Sequence, residues 1–341
     1  MDSLSLDIAL PLRSFRLELA LEVGSGTVAL VGPSGAGKTT VLRAVSGLAR
    51  PEQGSVRCGR ETWFDAAAGV DLRPEERSVG YVFQDYALFP HMTVEQNVRF
   101  AGGGADLLER FGISRLAHVK PGELSGGERQ RAALARAVAR GPKVLLLDEP
   151  LAALDTQTRA TVRGELRELL GRLDLPTLLV THDYEDAAAL AERVGVLVEG
   201  RIVQLGTPAE LLSAPATPFV ADFVGANLLL GNAAARPDGL TDVTLDDGTR
   251  IVSSDLGRGR VGVVVYPWEV ALAREPPEDS TLNHVRAPIA SLVPVGNRLR
   301  VRIGPLTAEI TAASGARLEL REGEVAVASF KATGTRLVPL G

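Results

Sequence analysis

One cysteine, Cys58, and four histidines are all that 341 residues supply of the usual soft metal ligands. No internal disulfide can form, and no Cys/His cluster has the spacing of a metal centre, which fits a reducing compartment. Nowhere do about 18 apolar residues run consecutively, so no segment spans a bilayer as a helix by itself. Positive charge is not in excess either. Lys and Arg number 37 against 42 Asp and Glu, a formal net charge of −5, so no global basic field exists to hold a nucleic-acid backbone or an anionic membrane. The N-terminal "MDSLSLDIALPLRSF" lacks the basic start and unbroken apolar run of an export signal. These absences predict a cytosolic chain that reaches a membrane only through a partner.

What is present is ordinary for a globular protein: 45% hydrophobic and 23% charged residues. The length is that of two domains, because single cores stop growing before this size. From Leu17 to about Val224, short apolar runs alternate with helical patterns, which predicts an α/β domain with a largely parallel sheet. The expected strands are 27–31, 79–83, 143–148, 177–181 and 194–198, apolar throughout as strands covered on both faces are. Between Phe89 and Arg140 the pattern is helical, which predicts an inserted helical subdomain at about 88–140. One of its helices has clear limits: Ser125 as cap, Glu128 three residues on as in a capping box, and Gly141-Pro142 as stop. After about Gly225 the chain changes to short alternating strands with turn signals, so 226–341 is expected to be a small all-β domain, barrel or sandwich.

"GPSGAGKT", Gly32 to Thr39, matches the P-loop pattern between a strand and a helix. In such a loop the backbone N–H groups curl around phosphates, Lys38 reaches the β- and γ-phosphates, and Thr39 offers a hydroxyl to Mg²⁺. The strand "VLLLDE" delivers Asp148 and Glu149 to its C-terminal end, where ligands sit in open α/β sheets. Asp148 is the candidate Mg²⁺ carboxylate and Glu149 the candidate to polarise an attacking water. In "VTHD" a strand end presents His182 on the same edge, positioned for a γ-phosphate and for Glu149. Gln84 follows the strand "VGYVF" and is a candidate for Mg²⁺ and water, or else a solvated strand end. Asp155, by spacing alone, is an N-cap for the helix that follows it.

The P-loop, Gln84, "LSGGE" (124–128), "LLLDEP", "LAALD" and "THD" occur in the order found in ATP-binding subunits of ABC transporters, and the resemblance covers about residues 1–225 strongly. It implies a P-loop NTPase with a RecA-like core and a helical subdomain, using ATP and Mg²⁺. The ATP-binding set would be Gly32, Pro33, Ser34, Gly35, Ala36, Gly37, Lys38, Thr39 and Thr40. It also implies a head-to-tail dimer with a second copy, in which Ser125, Gly126, Gly127 and Asp155 complete the partner's ATP site. The stretch 73–100 resembles importer ATPases for sugars, polyamines, ferric iron, sulfate and molybdate. The tail is similar to the OB-like TOBE or MOP-type domains of molybdate and tungstate import ATPases. The resemblance thus implies an oxyanion importer working with membrane permease subunits and, indirectly, an extracytoplasmic binding protein, at the cytoplasmic face and with no nucleic acid. One departure concerns the base: the only aromatic before the P-loop is Phe15. In the tail, Ser329 and Lys331, with Thr333 and Thr335 nearby, offer hydroxyls and a cation suited to an oxyanion, or else form a solvated strand end.

Overall fold

The computed structural model describes residues 3–340, and at 156 and 157 the backbone alone. The chain divides into two compact units, 1–208 and 209–341. The division precedes the change of pattern near residue 225, because two short helices, Pro208–Ser213 and Pro218–Val224, open the second unit. Gly225, left-handed at φ 78°, caps the latter and leads straight into the first strand of that unit.

Strands β1 (Leu4–Pro11), β2 (Arg16–Val23), β3 (Thr27–Val31), β4 (Gln53–Cys58), β5 (Glu61–Asp65), β6 (Val70–Asp71), β7 (Val79–Val82), β8 (Val144–Asp148), β9 (Thr177–Val180), β10 (Arg193–Val198) and β11 (Arg201–Gly206) form two sheets in the first unit. The larger has the order β11-β10-β3-β9-β8-β7. It is parallel from β10 to β7, with β11 antiparallel at its edge. Its central strands β3, β8 and β9 are buried at every residue, which is why they read as unbroken apolar runs. The second sheet, β2-β1-β4-β5-β6, is antiparallel. Its residues Leu4, Leu6, Ile8 and Leu10 alternate inward with Leu17, Leu19, Leu21 and Val23 opposite, and they join one core with β3, β8 and β9. That sheet was not among the expected strands; its period-2 alternation was the available signal.

Helices α1 (Lys38–Ser46), α2 (Val94–Phe100), α3 (Ala105–Arg110), α4 (Gly126–Val138), α5 (Thr156–Leu173) and α6 (Tyr184–Leu190) complete this unit, with α2 to α4 in the expected helical insert. Arg77, its side chain 1% exposed, donates from Nη1 to the Ala44 and Val45 carbonyls at 2.8 Å each and so closes the C-terminal end of α1. It is tied in turn to Asp71 at 3.2 Å. This clamp fixes the helix that starts in the P-loop to the start of β7.

In the second unit α7 (Pro208–Ser213) and α8 (Pro218–Val224) precede β12 (Asn227–Ala235), β13 (Thr241–Leu245), β14 (Arg250–Ser253), β15 (Gly259–Val265), β16 (Ala271–Ala273), β17 (Asn283–Val295), β18 (Arg298–Ile303), β19 (Leu306–Thr311), helix α9 (Ala312–Arg317), β20 (Val325–Phe330) and β21 (Thr335–Pro339). Two five-stranded sheets result, β14-β13-β12-β15-β21 and β16-β20-β17-β18-β19. Every strand pair is antiparallel, and both sheets contribute to one core that includes Val243, Val263, Val301, Ala328 and Phe330.

Candidate functional site

The parallel strands end within one residue of their neighbours' ends: Val31, Val82, Asp148 and Val180 lie along one edge of the large sheet, and the chain leaves each towards the same side. The loop after β3 brings Gly32 to Thr39 there, β7 brings Gln84, β8 brings Asp148 and Glu149, and β9 brings His182. A cleft of about 400 Å³ runs between them, lined by Ser34, Gly35, Lys38, Thr39, Gln84, Glu149 and His182. Leu12 from the turn after β1 also lines it.

The P-loop geometry has a steric cause. Gly32 sits at φ +148°, and a Cβ there would collide with the carbonyl oxygen of Leu197 on the neighbouring strand. The buried Lys38 ammonium donates to the carbonyls of Gly32 and Pro33, 2.9 Å each, and so holds the loop curled around itself. Burial lowers its pKa, while Glu149 and Asp148 act in the opposite sense. Its charge is therefore held inside the loop with carboxylates near.

Asp148 is buried, and its two oxygens are divided: Thr39 Oγ1 donates to one at 3.0 Å and Tyr81 Oη to the other at 3.1 Å. Burial raises its pKa above the usual carboxylate value, with the two hydroxyl donors opposing. Tyr81, from β7, is a site residue that sequence reasoning missed; the signal was a polar-tipped aromatic in the otherwise apolar "VGYVF". A hydroxyl and a carboxylate held together are hard oxygen donors of the kind Mg²⁺ takes one or two of, keeping water and phosphate oxygens for the rest. Among the described residues no group of three or more His, Cys, Asp and Glu side chains is placed to hold a metal without such help.

Glu149 stands at φ +48°, a left-handed backbone that turns its carboxylate out of the strand direction and into the cleft. Its Oε2 lies 2.8 Å from His182 Nδ1; the carboxylate side chain is 13% exposed and the imidazole 53%. A carboxylate bonded to an imidazole at the cleft wall is an arrangement able to orient a water for attack. Gln84 is exposed and lines the same cleft.

Ser125 is the cap of α4, as its spacing predicts: Glu128 N donates to Ser125 Oγ at 3.3 Å, and Ser125 N and Oγ both reach Glu128 Oε2 at 2.9 Å. Those bonds hold the Glu128 carboxyl below its ordinary pKa. A Cβ on Gly126 would meet the tip of the Leu154 side chain, which would have to move to admit it. Ser125 and Gly127 line a different hollow, about 410 Å³, with Arg131, Thr158, Thr161 and Glu165. Within one chain the signature turn and the P-loop therefore do not share a cleft. Asp155 is exposed and accepts from Thr158 N at 3.0 Å, capping α5 as its spacing predicts. In the second unit Ser329 is buried with its hydroxyl 2.9 Å from His284 Nδ1, while Lys331 and Thr333 are exposed. Thr335 is buried, 2.7 Å from the Ala332 carbonyl. Ser329 and Thr335 are thus committed to internal bonds.

The profile of the family described as ABC transporter matches residues 16–152. A molybdenum import ATP-binding protein of Paramagnetospirillum magneticum is 35% identical over 96% of this chain and 96% of its own length. This chain belongs to the ABC transporter family of ATP-binding proteins. A sulfate/thiosulfate import ATP-binding protein of Mycolicibacterium paratuberculosis is 37% identical over 90% of this chain and 82% of its own. Among solved structures, an ABC transporter subunit from Clostridium perfringens aligns with a TM-score of 0.53 at 26% identity, covering 61% of this chain and 89% of its own. As an ABC ATP-binding protein, the chain has among its described residues no helix long and apolar enough to cross a membrane.

Proposed function

We propose that this protein hydrolyses ATP to energise import of an oxyanion, molybdate or tungstate, through membrane permease subunits that it joins from the cytoplasmic side. The observation that carries the hydrolytic part is the convergence of Lys38, Thr39, Gln84 and the Glu149–His182 pair on one cleft, with Asp148 bonded to Thr39 in the adjoining hollow. Phosphoryl transfer asks the protein for positioning and charge stabilisation rather than covalent chemistry, and these residues supply both. Lys38 holds the β- and γ-phosphates in place of the carbonyls it now bonds. Thr39 and Asp148 would hold Mg²⁺, which when bound neutralises charge on the phosphate oxygens. Glu149 takes the proton of the attacking water, and His182 holds Glu149 and faces the γ-phosphate.

The separate hollow at Ser125 and Gly127 supports a sandwich of two copies. The turn at Ser125 presents helix N–H groups suited to an anion, and the second copy's nucleotide is the anion that fits, bound by Ser125, Gly126 and Gly127 in trans. The oxyanion assignment rests on the molybdenum relative and the length of alignment through the β unit. The sulfate relative, similar over nearly as much of this chain, favours sulfate as the second reading.

The test of the base is Glu149→Gln. Turnover should fall by about 10²–10⁴-fold, the range for losing a positioned base, while ATP binding survives. Undiminished hydrolysis in that variant would overturn the assignment. Molybdate or sulfate uptake by cells carrying the wild-type chain or Glu149→Gln, with the intact permease, separates the two cargoes.

A further inference from the structure

Helix α5 starts directly after Asp155, and α6 starts two residues after His182. The two helices meet at Asp186, a carboxylate 3% exposed. Arg159 Nε donates to Asp186 Oδ2 at 2.9 Å, and Arg159 Nη2 bonds the same oxygen. Arg163 Nε donates to Oδ1 at 2.8 Å, with Nη2 2.7 Å from that oxygen. A carboxylate at this depth is costly to leave unpaired, and here two guanidiniums divide its two oxygens.

The two arginines differ in what else they reach. Arg163 extends to the exposed Glu185, 3.5 Å away. Arg159 Nη2 lies instead 3.4 Å from Asp183 Oδ2, on the residue next to His182. Asp183 is itself the cap of α6, accepting from Asp186 N at 3.0 Å. At its other end Arg159 is fixed to the Asp155 turn, its backbone N donating to Asp155 O at 2.9 Å. Apolar burial of Val162, Leu166, Ala187 and Leu190 already secures both helices. A buried ion cluster adds little net stability to that, but it fixes relative geometry closely.

We propose that Arg159 is a positioning residue for hydrolysis. It ties the segment carrying His182 to the turn carrying Asp155, so that a displacement at Asp155 passes through one guanidinium to Asp183 and so to the His182–Glu149 pair. Asp155 is exposed on this chain and stands at the start of α5, so any body that docks against it acts on Arg159 within one helical turn. The inference rests on the ATP hydrolysis proposed above.

The test compares full-length wild type with Arg159→Met, Arg159→Lys and Arg163→Met, measuring Mg-ATP turnover, nucleotide affinity and Tm. Arg159→Met should lower kcat by roughly 10-fold or more while KM and the ATP Kd stay within about 2-fold, the pattern of lost transition-state positioning. Arg159→Lys keeps the charge and should recover part of kcat. Arg163→Met loses an equal share of Asp186 but nothing at Asp183, so it should lower Tm and leave kcat within about 2-fold. Equal kcat losses in the two methionine variants would make the cluster merely structural and overturn the proposal, as would an unimpaired Arg159→Met. Should Arg159→Met not fold, Arg159→Lys decides: wild-type kcat overturns the proposal, and a reduced kcat at unchanged Kd supports it. A wild type that binds ATP without turning it over overturns the hydrolytic reading as well, whereas turnover with Arg159→Met unimpaired overturns only this inference.

Discussion

Asp148 shows how a single residue can be set against the stability of its own fold. Burial raises its pKa, with Thr39 and Tyr81 opposing. A carboxyl whose folded pKa lies above its unfolded value favours the fold at low pH, and that contribution is lost as pH rises through the folded pKa. At neutral pH the ionised group is therefore a cost to the nucleotide-free protein. Asp148→Asn should raise the Tm of that form by about 2–4 °C, the shift expected for roughly 1 kcal/mol in a domain of this size, while abolishing Mg²⁺-dependent turnover. A lower Tm in thermal melts at pH 7.5 would show that the hydroxyl bonds outweigh the desolvation. The placement of Asp148, Glu149 and Lys38 was legible because each residue type sits at the end of an apolar strand or in a Gly-rich turn. Tyr81 was not legible, since a strand tyrosine reads equally well as packing, and only the contact with Asp148 distinguishes the two.

At the scale of elements, α4 illustrates a helix whose local signals and structure agree. Ser125 and Glu128 form the reciprocal cap, and Gly141, at φ +61°, ends the segment. Gly126 carries a further demand that no local signal states: Leu154, from a distant part of the sequence, fills its Cβ space. Gly126→Val should therefore displace Leu154 and, on a Glu149→Gln background, abolish the proposed ATP-dependent dimer while sparing ATP binding by the monomer. Light scattering with and without Mg-ATP measures this, and an intact dimer would remove the signature turn from the interface. The antiparallel sheet of β1, β2, β4, β5 and β6 escaped the sequence reading for a related reason. Its strands alternate polar and apolar residues and are separated by the P-loop helix, so their pairing is a matter of long-range register rather than of any one segment.

For the whole molecule, the two units have separate cores, one built on Leu30, Leu146 and Val180 and the other on Val263, Val301 and Phe330. Scanning calorimetry should then resolve two transitions, and Mg-ATP should raise the first unit's alone, because a ligand stabilises the unit that binds it by mass action. A single transition shifted as a whole by nucleotide would contradict this. The sequence by itself determined the phosphate loop, the carboxylates, the strand-helix alternation and the change of character towards the C-terminus, since each depends on residue types at short spacing. The tertiary structure alone decided which strand ends share an edge, that Glu149 meets His182, that Ser125 and Gly127 open on a hollow apart from their own P-loop, and that Asp186 joins α5 to α6. Those facts depend on strand order and helix packing, which bring together residues far apart in the chain, and spacing along a sequence carries no record of them.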